Sequence, residues 1–75
     1  MKRFEYLVVR MEHDRVVMAN GHWQGTEERG TPDADASCPS LFEYLGDAGA
    51  QGWELVGVDP EGEGTAQLYF KRTHG

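Results

Sequence analysis

Residues 4–11, FEYLVVRM, contain no glycine or proline and are dense in aromatic and β-branched side chains, the composition of a strand. Alternation places Phe4, Tyr6 and Val8 on one side and Leu7, Val9 and Met11 on the other, so both faces are apolar. The polar interruption at residues 12–15 has hairpin length, with His13 and Asp14 at its tip, and the run VVMA at residues 16–19 reads as the return strand. Asn20-Gly21 tolerates positive φ and marks either a second turn or a bulge. The bulge is the expected reading, with the strand continuing to Gln24 and Trp23 as an inward anchor near its end. Residues 25–37, GTEERGTPDADAS, hold no Leu, Ile, Val, Met or aromatic residue. This polar, acidic loop is expected to be disordered.

The period changes to helical at residues 40–51. Ser40 followed by Glu43 fits a capping box, and Ser37 with Pro39 in the first turn is an alternative start. Leu41, Leu45 and Ala48 share a face, flanked by Phe42 and Gly49, while Tyr44 and Asp47 point elsewhere. Gly46 and Gly49 each cost about 1 kcal/mol relative to alanine, so packing must hold the helix. Gly52 is expected to close it in the left-handed conformation and to deliver Trp53 into the core. Leu55, Val56 and Val58 then form a strand buried on both sides, with Trp53 and Leu55 opposite Val56 and Val58. After the acidic turn at residues 59–64 comes a final strand, TAQLYFKR, with Leu68 and Phe70 opposite Tyr69. The order β-β-α-β-β predicts an α+β single domain over residues 1–75, a four-stranded antiparallel sheet with one helix on one face.

The segments FEYLVVRM, LFEYLGDAGAQGWELVGV and LYFKR together resemble a widespread family of small bacterial proteins of unknown function. Its pattern is close to Tyr-Glu-Tyr-x-Val-Val at the start, Gly-Trp-Glu-Leu-Val after the helix, and a closing aromatic-Lys-Arg strand. Gly52, Trp53, Leu55 and Val56 carry the most specific part of the likeness. It covers both ends and the centre and fails across residues 25–37. Where the family often has Asn-Glu-Leu-Gly, this chain has Gly46-Asp47-Ala48-Gly49, with lower helix propensity. The resemblance implies the β-β-α-β-β fold and brings no activity or catalytic residues.

Charge narrows the function classes. The 75 residues carry a formal net charge of −6. Six of the seven basic residues lie towards the chain ends, and residues 26–63 hold ten acidic residues against Arg29 alone. That balance argues against nucleic-acid binding, which requires phosphate neutralisation. No apolar run approaches membrane-spanning length and no export signal is visible, so a cytoplasmic setting is expected. Cys38 is the only cysteine and forms no disulfide within the chain.

Candidate chemistry is sparse. Cys38 at a helix start, with His22 as base and Trp23 nearby, is one conceivable small-ligand or catalytic site. Arg10, Arg15, Lys71 and Arg72 could gather into an anion site if the first and last strands are neighbours. The histidines are too scattered for a metal site, and no cofactor motif is present. The bland expectation is a non-enzymatic module. A chain this short has a marginal core, and one helix covers only one face of a sheet that is apolar on both. The expectation is therefore a homodimer packed through the open sheet face, with a protein partner as a further possibility; the rival is the long hairpin bending over that face with Trp23 as its lid.

Overall fold

The computed structural model describes residues 2–74. Strand β1, Arg3–Glu12, and strand β2, Arg15–Ala19, form the first hairpin. Its two tip residues, His13 and Asp14, take φ of 50° and 64°, the left-handed pair of a type I′ turn, whose twist suits a hairpin. Strand β3 is only His22–Trp23; a short 3-10 turn at Asp35–Ser37 precedes helix α1, Leu41–Ala50. Strands β4, Glu54–Gly62, and β5, Thr65–His74, complete an antiparallel sheet of order β3-β2-β1-β5-β4. Among the described residues the architecture is α+β with one α-helix, as expected, but the sheet has five strands rather than four.

The fifth strand exists because Asn20-Gly21 is a turn and not a bulge. Asn20 (φ 48°) and Gly21 (φ 81°) reverse the chain, so that His22 pairs with Ala19 and Trp23 with Met18. Asn20 also fixes the end of β2: its side-chain oxygen accepts from the Val8 N–H at 2.8 Å, and its own N–H donates to the Val8 carbonyl at 2.8 Å. Its side chain thereby replaces the backbone that a longer β2 would have offered β1.

Helix α1 starts on Ser40, whose hydroxyl accepts the Glu43 N–H at 3.2 Å and donates to the Glu43 carboxylate at 2.9 Å. The Leu41 N–H donates to the Asp14 carbonyl at 2.8 Å, tying the helix start to the hairpin tip. At the other end Gly52 has φ 88°; the Trp53 N–H donates to the Ala48 carbonyl and the Gly52 N–H to the Gly49 carbonyl, each at 3.0 Å. This is the double hydrogen-bond pattern of a Schellman cap. Gly46 and Gly49 face open space, with nothing within 4 Å of an added Cβ, so neither serves a close approach to the sheet.

The core forms where α1 covers the centre of the sheet. Leu7, Val9, Val16, Ala19, Ala48, Leu68 and Phe70 are buried together, and Leu41, Tyr44 and Trp53 pack against them half-buried. The helix is rotated from the expected phase. Tyr44 turns inward, its ring 6.4 Å from that of Phe70, while Leu45 is 36% exposed and Phe42 87%.

Strand β4 departs most from expectation. It is an edge strand, and Leu55, Val56 and Val58 are all exposed rather than buried on both sides. A bulge between Leu55 and Gly57 shifts the alternation: Leu55 pairs with Phe70 and Val58 with Leu68, so both face the helix side. Val56 sits at the bulge instead of facing away together with Val58.

Candidate functional site

The open face of the sheet is built by the register of β1 on β5. Val8 pairs with Tyr69 and Tyr6 with Lys71, which sets Phe4, Tyr6 and Val8 in a row on the side away from the helix. Phe4 is 43% exposed, Tyr6 63% and Val8 38%, with half-buried Tyr69 beside them. The Lys71 ammonium lies 4.8 Å from the Phe4 ring centroid. The second apolar face that the alternation of residues 4–11 predicts is therefore present on β1.

The helix side carries a different feature, a cavity of about 300 Å³ along one flank of α1. Tyr44, Asp47, Ala48 and Gln51 stand at i, i+3, i+4 and i+7, a single helical stripe that forms one wall. The Gly52 cap places Trp53 at the end of this stripe. The opposite wall, Gln24 and Pro39, belongs to chain that closes the outer edge of β2. There the Gln24 N–H donates to the Val17 carbonyl and the Val16 N–H to the Pro39 carbonyl, each at 2.9 Å.

Around this cavity the charges are specific. The Arg72 guanidinium lies 4.2 Å from the Trp53 ring centroid, donates to the Gln51 carbonyl at 2.9 Å, and pairs with Glu5. Burial raises the Tyr44 phenol above its ordinary pKa, so it stays neutral through the physiological range. Asp47 is the one formally charged side chain among the lining residues.

The sites expected from sequence do not assemble. Cys38 is 2% exposed, with its Sγ 3.7 Å from the Ala34 carbonyl. Burial raises its pKa, the neighbouring Asp35 raises it further, and Arg15 opposes them. His22 is exposed on β3, and no hydrogen bond joins it to Cys38 among the described residues. Trp23 is not an inward anchor under the helix: pairing with Met18, itself opposite Arg10, sets it on the other side of the sheet. Its indole N–H donates to the Glu27 carbonyl at 3.0 Å and Arg29 lies 5.6 Å from its ring, so Trp23 organises the acidic loop. That loop is itself hydrogen-bonded, through Glu27 N–H to the Ser37 hydroxyl and the Ser37 hydroxyl to the Ala34 carbonyl.

The basic residues are likewise dispersed. Arg10 pairs with Glu12 and Glu61, each at 2.9 Å, and Arg15 donates to the Cys38 carbonyl at 3.0 Å. Lys71 and Arg72 lie at the other end of the strands, opposite Tyr6 and Glu5. Each of the four is engaged by a carboxylate, a carbonyl or a ring, and they form no common anion site. No group of three or more His, Cys, Asp or Glu residues suited to a metal occurs among the described residues. None of their helices is long and apolar enough to cross a membrane.

Sequence reasoning missed Gln24, Asp47 and Gln51 as site residues and turned Tyr44 away from the apolar side of the helix. The stripe from Tyr44 to Gln51 was a readable signal once Tyr44, not Leu45, is taken as inward. Comparisons with protein-family models, curated proteins and solved structures give no match. The functional reading therefore rests on geometry.

The state of Cys38 has a direct consequence. Its reaction with a thiol-specific disulfide reagent at mildly alkaline pH is expected to be markedly slower than that of a free thiol, because burial disfavours the thiolate and screens the sulfur from solvent. Unfolding in guanidinium should abolish the protection. Native reactivity at or above that of a free thiol would contradict the observed burial.

Proposed function

We propose that this chain is a non-enzymatic, self-associating module whose two copies pack through their open sheet faces. The row Phe4, Tyr6 and Val8 on β1 carries the reading. Its alternation with Leu7 and Val9 is too regular to be a by-product of core formation, since only the odd positions serve the core. A patch of this kind marks an interaction surface.

A two-fold pair of sheets would cover this row on both copies, because each offers the same patch to the other.

A protein partner engaged by the dimer, and a bacterial cytoplasmic setting, belong to the same proposal; a lone thiol without a disulfide partner is compatible with that compartment. Membership of the Gly-Trp-Glu-Leu-Val family is also part of it, supported by the way Gly52 caps the helix and Trp53 follows it onto the sheet.

Light scattering on a size-exclusion column should give twice the 8.4 kDa chain mass at tens-of-micromolar concentration. Tyr6→Glu, at a side chain 63% exposed, should give a folded monomer, whereas Phe42→Glu, on the outer side of α1, should leave the dimer intact. A wild-type monomer at that concentration, or the reverse response of the two variants, would overturn the reading.

A further inference from the structure

We infer that the cavity beside α1 is a binding site for a short alkylammonium group, independent of the open face. Its walls offer an amine what it needs and an anion little. Asp47 provides the only formal charge among the lining residues, and it enters none of the salt bridges among the described residues. Arg72, which contacts the Trp53 ring and the Gln51 carbonyl, does not line the cavity and is paired with Glu5.

The remaining polar groups add acceptors. Gln24 spends its amide N–H on the His22 carbonyl at 3.0 Å, which leaves its side-chain oxygen as an acceptor. The Tyr44 hydroxyl stays neutral, and the Gln51 side-chain amide makes no hydrogen bond among the described residues. An ammonium has three donors and no acceptor, so it matches a carboxylate, an amide oxygen and a phenol oxygen.

The apolar part of the lining suits the alkyl stem. Trp53, Pro39 and Ala48 supply carbon surface, with Arg72 already seated 4.2 Å from the Trp53 ring centroid, so the stem packs on carbon and the ammonium is left to Asp47. A volume of about 300 Å³ lies at the small end of ligand sites, a size that suits a short ligand. The same ammonium chemistry is carried by a free amine and by a lysine side chain, and a pair of probes separates the two.

The test is a titration of the full chain, ¹⁵N-labelled, with n-butylammonium and separately with Nα-acetyl-lysine amide, followed by the Trp53 indole and Gln51 backbone signals. Saturable shifts in the millimolar range or tighter are expected, with n-butanol and butyrate giving none. The tighter of the two ammonium probes identifies the source, free amine or polypeptide. Asp47→Asn, at an exposed helix position, should weaken binding roughly 2- to 5-fold, the value of an exposed ion pair, while Asp59→Asn on β4 leaves it unchanged. The Asn variant's dispersed spectrum establishes that it is folded. Absence of saturation with both ammonium probes, equal binding of butyrate, or unchanged affinity in Asp47→Asn would overturn the assignment.

Discussion

Phe70→Ala is expected to leave the protein largely unfolded at physiological temperature. Phe70 is 2% exposed in β5, pairs with Leu7 on one side and Leu55 on the other, and meets the Tyr44 ring from the helix. Truncating a buried phenylalanine costs about 3–5 kcal/mol, from lost transfer energy and from the void left behind. The whole domain has a stability of roughly 4–11 kcal/mol at its length of 75 residues. Most of the lower figure disappears with one side chain. The thermal midpoint should fall by roughly 12–40 °C, using 4–8 °C per kcal/mol for a domain of this size. Circular dichroism melts of the variant and of Phe70→Leu, which retains most of the volume, provide the check. A Phe70→Ala midpoint within a few degrees of wild type would mean that the helix does not close the core at this point.

The second large effect is expected at Gly52. Its φ of 88° lies in the region that a β-branched residue reaches only with strain, yet a Cβ there would meet nothing within 4 Å. The penalty in Gly52→Val is therefore conformational and not steric, on the order of 2–3 kcal/mol, with a midpoint lowered by roughly 10–20 °C. Gly46→Ala is the counterpart. Gly46 also faces open space but has ordinary helical φ, so alanine should stabilise by about 1 kcal/mol through helix propensity. Opposite signs for the two substitutions follow from the backbone conformation at each glycine. If Gly52→Val melts like wild type, the joint between helix and strand is not held by the cap.

These positions were legible in the sequence because their physics is local. A Ser-x-x-Glu start, a left-handed glycine stop and a two-residue hairpin tip at His13 and Asp14 are each decided within a few residues, and each is found in the structure. What failed was decided at a distance. Asn20-Gly21 is compatible with a bulge or a turn; the choice falls to the turn because the Asn20 side chain finds the Val8 backbone twelve positions away. The helix sequence allows two phases, one with Leu45 inward and one with Tyr44 inward. Phe70 favours the second by providing a ring for Tyr44 to tilt against. The valine-rich run after Trp53 looked like an interior strand, and only the strand order makes it an edge.

The candidate sites follow the same division. The cavity was not legible as a unit, because its walls come from a helix stripe, the Trp53 joint and two segments flanking the acidic loop. The pairing of Cys38 with His22 failed for a related reason: proximity to a helix start says nothing about burial, and Cys38 turns inward beneath Ala34. By contrast, the open face on β1 could be read directly, since strand alternation depends on sequence alone.

That face is where the account can be tested most directly. Isotope-filtered NOE spectra on a mixture of labelled and unlabelled chains report contacts between copies and no others. The expected result is a set of intermolecular contacts from the ring of Tyr6 and the methyls of Val8, converging on the same residues of the second copy. Intermolecular contacts confined to Phe42, Leu55 or Val58 on the helix side, or none at a concentration where the dimer is expected, would contradict association through the open face.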